Sequence, residues 1–170
     1  MSKLSLVDTG FLMTESPNSP KHVGVLQVWR LPNGKGSAWL RRMLAEMKQE
    51  EAGFPFDQKL DEKIPLQPEL VVDEKIDMDY HVRHTVLPQP GDDEQMWKTV
   101  SRLHANMLDR QRPLWEFHLI EGLSDRRFAF YTKIHHSLAD GLTLSRWFSE
   151  SGSEDPADVS NPAIWHGEKK

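Results

Sequence analysis

The sequence of 170 residues contains no cysteine. This absence excludes disulfide bridges, thiolate metal sites and a cysteine nucleophile, and it is typical of a protein from a reducing compartment. The sequence also has no apolar run near the roughly 20 residues that a membrane-spanning helix requires. Its first twenty residues have no run of the kind that a signal peptide contains. We therefore expect a cytoplasmic protein, either soluble or peripheral to a membrane.

Positive charge is also scarce. The 21 Lys and Arg residues are outnumbered by 26 Asp and Glu residues, which gives a net charge of −5. No basic cluster is visible in the sequence, so we expect no nucleic-acid partner. A chain of this length can bury roughly 70% of its unfolded surface, enough for one domain or for one lobe of something larger.

The hydrophobic pattern predicts an α/β sandwich in which helices cover a mixed β-sheet. The predicted strands are residues 23–31, 80–87, 115–120 and 127–134, and the predicted helices begin at Ser37 as a cap, at Asp92 or Asp93, and at Leu142. We expect the first helix to stop near Gly53 and the second to end at Arg112-Pro113, because the residue before a proline avoids the helical region. Residues 54–79 are predicted to be mostly loop, and residues from Ser149 onward resemble a linker.

Two adjacent histidines, His135 and His136, follow the last predicted strand. Because side chains alternate along a strand, these two point to opposite faces, and we expect no metal site. The pair stands just before a loop, where sites are often built, and the usual pKa of histidine suits a general base. Asp140 is near enough to orient an imidazole or to cap the next helix, and Gly141 allows close backbone approach. Ordinary packing is the competing interpretation for both histidines.

Residues 135–141 read HHSLADG and match the HHxxxDG signature of CoA-dependent acyltransferases and peptide-synthetase condensation domains. Further segments, taken in this order, resemble the amino-terminal half of bacterial wax ester synthase/diacylglycerol acyltransferases. They are Phe11-Leu12, Glu15-Ser16-Pro17, His22-Val23-Gly24, Asp79-Tyr80-His81-Val82-Arg83, Leu87-Pro88, Pro90-Gly91, Asp109-Arg110 and Arg112-Pro113-Leu114-Trp115-Glu116. The resemblance runs from about Leu4 to Phe148, and residues 161–165 resemble the start of the family's interdomain linker.

This resemblance implies a chloramphenicol-acetyltransferase-like lobe at residues 1–148 and the start of an interdomain linker at residues 149–170. Family members are much longer, so we expect the carboxy-terminal lobe to be absent from this chain and to act as its partner. The implied activity moves a fatty acyl group from acyl-CoA, a substrate, to a fatty alcohol or a diacylglycerol, with no further cofactor. The resemblance also implies a peripheral contact with the inner membrane or with lipid inclusions.

The same resemblance assigns roles to residues. His136 is the implied catalytic base, while His135 and Asp140 shape the loop and Gly141 lets CoA or backbone pass closely. Pro113, Leu114 and Trp115 are implied to line substrate space, with packing at the start of a strand as the alternative. Ser137 is not expected to be a nucleophile.

Other residues are interpreted from pattern alone. We expect structural roles for His81 and His84, which would face opposite ways three residues apart on a strand. Met13, Trp29, Trp39 and Trp97 are candidates for lipid contact only if they are exposed.

Two other functions stay open. One is another HHxxxDG enzyme, such as a condensation domain that uses carrier-bound acyl donors. The other is a lobe that binds lipid or a partner without catalysis and therefore needs no base.

Overall fold

The computed structural model describes residues 2–61, 63, 68–139, 141–152 and 163–167. Strands and helices alternate along most of this length, and their bounds follow in chain order. They are β1 (Ser2–Lys3), α1 (Leu6–Thr14), β2 (His22–Arg30), α2 (Ser37–Met47), β3 (Gln58–Asp61), β4 (Glu69–Val72), α3 (Met78–His81), β5 (Val82–Val86), α4 (Asp93–Ala105), β6 (Trp115–Leu123), β7 (Arg127–His135), α5 (Gly141–Glu150) and a 3-10 turn (Ile164–His166).

Four strands form the mixed sheet that positions the site. Their order is β2-β7-β6-β5, with β7 antiparallel to both of its neighbours and β5 parallel to β6. Parallel pairing of β5 and β6 requires a crossover, and α4 supplies it. The prediction of an α/β fold with a mixed sheet covered by helices is confirmed. A smaller antiparallel sheet has the order β1-β4-β3.

Each face of the main sheet has its own hydrophobic core. On one face, α2 and α5 cover a cluster that includes Trp115, Phe117 and Ile134. On the other face, α4 packs Met96 and Val100 against the sheet. Because both faces are covered, β6 is buried along nearly its whole length.

The helix α4 begins where the sequence predicts and ends earlier. The Asp92 side chain caps it by accepting a hydrogen bond from the Gln95 N–H at 2.9 Å. The predicted end at Arg112-Pro113 is wrong, because the helix ends at Ala105. There the buried Lys133 of β7 donates hydrogen bonds to the carbonyls of Leu103 and Asn106, at 2.9 and 2.8 Å. A cation from the sheet thus satisfies the carbonyl groups that the end of the helix leaves open.

The same lysine belongs to a buried charge cluster. Its Nζ lies 3.2 Å from Glu116 Oε2, and His118 Nε2 donates to the same oxygen at 3.1 Å. Burial raises the pKa of the Glu116 carboxyl, but the hydrogen bond from His118 and the charges of Lys133 and Arg83 outweigh it and lower that pKa to about 2.

Three further predictions need correction. The helix α2 ends at Met47 rather than near Gly53, and its cap is Gly36 without a side-chain hydrogen bond, so Ser37 is not the cap. Within residues 54–79, which were predicted to be mostly loop, the structure adds the short strands β3 and β4 and the first two residues of α3. The helix α1 was not predicted at all, although Ser5 and Asp8 form a capping box at its start.

Part of the predicted linker packs on the lobe. Trp165 is fully buried and stacks on Trp115, with ring centroids 5.6 Å apart. Residues 153–162 and 168–170 of that segment lie outside the described residues. None of the helices that the structure describes has the length and apolar character needed to span a bilayer.

Candidate active site

The turn after β7 carries the histidine pair. His135 is the last residue of β7, and its carbonyl accepts a hydrogen bond from the Leu138 N–H at 3.0 Å, which closes the turn. The His136 N–H donates to the carbonyl of Lys21, just before β2, at 2.9 Å. The turn is therefore held to the neighbouring strand by backbone contacts as well as by its own fold.

His135 is fully buried, and its ring forms hydrogen bonds with neighbouring groups inside the protein. Its Nδ1 accepts a hydrogen bond from the Ser137 N–H at 3.0 Å and lies 2.7 Å from Ser137 Oγ. Because a backbone N–H can only donate, Nδ1 has no proton, and the neutral ring carries its proton on Nε2. Burial lowers the pKa of His135 to about 4, so the ring is neutral at neutral pH. His135 therefore stabilises the turn and is not placed to reach a substrate.

Behind His135 lies a buried carboxylate that the sequence-based interpretation missed. The Glu15 side chain is 2% exposed, and its Oε1 is 3.6 Å from His135 Nε2. Arg110 Nη2 lies 3.3 Å from the other carboxylate oxygen and also donates to the Leu12 carbonyl. The Lys21 N–H donates to Glu15 Oε1 at 3.1 Å. One carboxylate thus ties the end of α1, the start of β2 and the segment before β6 to the turn that follows β7.

The only sequence signal for this network was the order of segments. Glu15-Ser16-Pro17 is one of the segments that carry the family resemblance, and a turn lies there, closed by a bridge between Ser16 and Ser19. The role of the glutamate itself depends on Arg110, which lies 95 residues away along the chain. Spacing in the sequence does not reveal a pair of that separation.

His136 faces outward. It is half-buried, and its ring stacks on Phe11 of α1, with centroids 4.8 Å apart and an interplanar angle of 19°. The ring lines an open cleft of about 530 Å³. The other lining residues come from α1 and from the turn into α5, and they are Ser5, Val7, Asp8, Phe11, Ser137, Leu138, Ala139, Gly141 and Thr143. Of the two histidines, His136 is the one that a substrate can reach.

A second groove of about 490 Å³ shares one lining residue, Gly141, with this cleft. It runs between one face of β2 and one face of α5. Most of its lining is apolar, and the residues are Val23, Val25, Gln27, Gly141, Leu144, Ser145, Phe148 and Ser149. Leu6 and Leu142 lie near the mouth of the His136 cleft and are 93% and 85% exposed. Such exposed leucines beside a cleft are typical of a binding surface.

The remaining predicted site residues lie elsewhere. Pro113, Leu114 and Trp115 are buried and line neither of the two cavities; the Trp115 Nε1 donates to the Phe56 carbonyl at 2.8 Å. The Leu114 carbonyl accepts from the His135 N–H at 3.0 Å, so this segment lies directly behind the turn that carries the histidine pair. Asp140 lies outside the described residues.

His81 and His84 have structural partners, although His81 belongs to α3 and not to a strand. The His81 Nδ1 donates to the Trp115 carbonyl at 2.7 Å, and His84 Nε2 lies 2.7 Å from Glu121 Oε2. Within the described ranges, no group of three His, Cys, Asp or Glu residues is placed to hold a metal ion.

Comparison with known proteins gives consistent results. A family model described as the wax ester synthase/diacylglycerol acyltransferase catalytic domain matches residues 4–170. Two Mycobacterium tuberculosis proteins named as diacylglycerol O-acyltransferases are each 40% identical over 94% and 96% of this chain. This chain covers 36% and 34% of their lengths, so it spans about a third of these relatives.

A comparison with solved structures supports the same family. The wax ester synthase/diacylglycerol acyltransferase from Marinobacter aquaeolei VT8 superposes with a TM-score of 0.90 at 41% identity, over 97% of this chain and 40% of that one. The starter condensation domain of rhizomide synthetase has a TM-score of 0.61 at 14% identity, over 88% of this chain and 37% of that one. The second likeness concerns the fold alone.

Proposed function

Because this chain belongs to the wax ester synthase/diacylglycerol acyltransferase catalytic-domain family, we propose that the protein transfers a fatty acyl group from acyl-CoA to a hydroxyl group. The acceptor is a long-chain alcohol or a diacylglycerol. The observation that carries this proposal is the difference in surroundings between the two histidines. His135 is buried and bonded within the turn, whereas His136 lines an open cleft.

In the proposed reaction, His136 is the general base. It takes the proton of the acceptor hydroxyl while the oxygen attacks the carbonyl carbon of the thioester. The new C–O bond forms, the tetrahedral intermediate collapses, and the C–S bond breaks. The imidazolium then returns its proton to the CoA thiolate. No acyl-enzyme is needed, which agrees with a sequence that lacks cysteine.

The chain's other residues would hold this base in place. Phe11 stacks on one face of the His136 ring and restricts its orientation. His135, through its bonds to Ser137, keeps the turn in shape, and Glu15 with Arg110 supports His135 from behind. A base held in one position contributes more to the rate than a mobile one, because the reacting atoms are already aligned.

The two neighbouring cavities support the choice of substrates. The apolar groove along β2 suits an aliphatic chain, and it ends at Gly141 beside the His136 cleft. A chain lying in the groove would bring its reacting end to the base. Both cavities are open on one side, and we propose that the carboxy-terminal half of the full-length protein supplies the second wall there.

The test is CoA release from palmitoyl-CoA by the full-length protein, with hexadecanol or dipalmitoylglycerol as the acceptor. We expect turnover that depends on the acceptor and that falls sharply in His136→Ala. A matched control is His166→Ala, which removes a partly exposed histidine of the 3-10 turn that lines neither cavity. Equal turnover of the two variants, or use of carrier-bound donors in preference to acyl-CoA, would overturn the proposal.

A further inference from the structure

One polar side chain lies in the floor of the apolar groove. Val23, Val25 and Gln27 share one face of β2, and all three line the groove. Val23 pairs with Ile134, the residue just before the histidine pair, so it lies at the end nearest the His136 cleft. Gln27 is therefore the last residue of β2 in the groove and the one furthest from the proposed base.

The surroundings of Gln27 set it apart from the other polar residues of the lining. Its side chain is half-buried, and its side-chain amide forms no hydrogen bond with any residue that the structure describes. Ser145 and Ser149 of α5 are exposed instead, so their hydroxyl groups stay in water at the rim of the groove. Among the described lining residues, Gln27 alone is both polar and half-buried.

The two sides of the groove give nearly the same length. Along β2, Val23 and Gln27 are separated by about 13 Å at the rise of a strand. Along α5, Gly141 and Ser149 are separated by about 12 Å at the rise of a helix. An extended hydrocarbon chain advances by about 1.25 Å per carbon, because its bonds of about 1.5 Å meet at about 111°. The groove therefore holds about ten carbons of such a chain.

The distance between the groove and the proposed base adds to this length. The His136 N–H donates to the carbonyl of Lys21, which precedes Val23 by two residues. Those two residues span about 7 Å, which corresponds to about five more carbons. A chain whose carbonyl carbon lies at the base thus reaches Gln27 after about 16 carbons.

We propose that Gln27 sets the upper limit on the length of the acyl chain that this groove accepts. A chain that ends before Gln27 leaves the amide in contact with water. A longer chain covers the amide with hydrocarbon, and burial of an amide without a hydrogen bond is unfavourable. Trp29 follows on the same face of β2, but it is 45% exposed and is not part of the lining, so the groove ends at Gln27.

The acyl donor is the substrate that suits this groove. The groove lies between one strand and one helix, which fits a single hydrocarbon chain. Acyl-CoA carries one such chain whichever acceptor is used, whereas a diacylglycerol carries two. The choice of acyl-CoA as the occupant rests on the proposed function, but the position of Gln27 at the end of the groove does not.

The test is the chain-length preference of the full-length protein, measured with lauroyl-, palmitoyl- and eicosanoyl-CoA and with hexadecanol as the acceptor. In Gln27→Leu, an apolar side chain replaces the amide. We expect kcat/KM for eicosanoyl-CoA relative to palmitoyl-CoA to rise about tenfold, mainly through KM, because the longer chain no longer buries an unpartnered amide. The chain of lauroyl-CoA ends before Gln27, so its kinetics should not change.

Two further variants test the position of the limit. Gln111→Leu makes the same exchange at an exposed glutamine that lines neither cavity, and it should leave the preference unchanged. Val25→Phe places a large side chain about 7 Å nearer to the base than Gln27. We expect it to lower kcat/KM for palmitoyl-CoA about tenfold more than for octanoyl-CoA, whose chain ends before Val25. The limit should thus move with the position of the obstruction.

A binding measurement separates this inference from the proposed function. Each acyl-CoA should raise the unfolding temperature by an amount that grows with its affinity, whether or not acyl transfer occurs. Acceptor-dependent CoA release tests the function, whereas the preference between eicosanoyl- and palmitoyl-CoA, in either measurement, tests Gln27. An unchanged preference in Gln27→Leu would overturn the proposal. So would a shift that appears only when the length of the alcohol is varied at fixed palmitoyl-CoA. Failure of every acyl-CoA to bind would overturn both proposals.

Discussion

Replacement of Glu15 by glutamine removes the charge behind His135 and keeps nearly the same shape. The Glu15 side chain is 2% exposed and pairs with Arg110 at 3.3 Å, while the Lys21 N–H donates to it at 3.1 Å. The amide oxygen of glutamine can still accept from Lys21, so the backbone contact survives. Breaking a fully buried ion pair costs about 3–5 kcal/mol. Because a third of the Arg110 side chain is exposed and screened by water, we expect a smaller loss of about 1–2 kcal/mol.

The effect on catalysis should exceed the effect on binding. Without the carboxylate, the turn of His135 and Ser137 loses its support, and the His136 ring loses part of its alignment. We expect kcat to fall roughly tenfold in Glu15→Gln with little change in the KM for acyl-CoA, because misalignment acts on the transition state. The measurements are steady-state kinetics and thermal unfolding of the full-length protein. Glu51→Gln, at an exposed carboxylate, is the control. A Glu15→Gln protein with unchanged kcat and unchanged stability would refute the reasoning.

Four further predictions follow from the same structure. His136→Ala should lower the rate by about 10²–10⁴-fold, with a smaller loss in His135→Ala; the reverse order, measured as CoA release, would exchange their roles. Asp140→Ala should lower the unfolding temperature as well as the rate, because a carboxylate that caps a helix or forms an ion pair stabilises the fold by about 0.5–2 kcal/mol. A variant that is inactive but fully stable would instead give Asp140 a direct role in the reaction. Burial lowers the pKa of His135 to about 4, so on acidification this histidine is protonated in the unfolded chain before it is protonated in the folded protein. The free energy of unfolding should therefore fall by up to about 3 kcal/mol between pH 6.5 and pH 4. Denaturant titration should show a smaller fall in His135→Gln. Residues 1–170 alone should turn over little or no acyl-CoA, because each missing oxyanion donor costs roughly 3–4 kcal/mol; the full-length rate from this piece would show a complete site within it.

The elements that could be predicted are those specified by nearby residues. The start of α4 follows from Asp92, whose side chain bonds within its own first turn. The end of α4 could not be predicted in this way, since it depends on Lys133, which lies 30 residues from Leu103 along the chain. Similarly, the apolar residues of α1 (Leu6, Val7, Phe11, Leu12 and Met13) are spread around the helix, so they form no single stripe for periodicity to detect.

In the candidate site too, residues that are close in the sequence could be predicted and contacts between distant residues could not. His136 and its neighbours are contiguous, and the HHxxxDG pattern indicated them directly. Glu15 and Arg110 are distant from the pattern and from each other, and only the folded chain shows that they support it. Exposure was equally out of reach, since Trp29 and Trp39 look alike in the sequence and differ only in how they pack.

The contact between Glu15 and Arg110 joins parts of the chain that are synthesised far apart in time, and the same is true of the walls of the His136 cleft. These walls come from the first residues of the chain and from residues beyond 135, and they meet only when β2 pairs with β7. During synthesis, α1 and β2 therefore emerge long before their partners and must wait with apolar surface uncovered. Closing so long a loop is slow compared with forming a helix. We expect the cleft to be among the last features of this lobe to form, and a nascent chain halted before β7 to depend on chaperones.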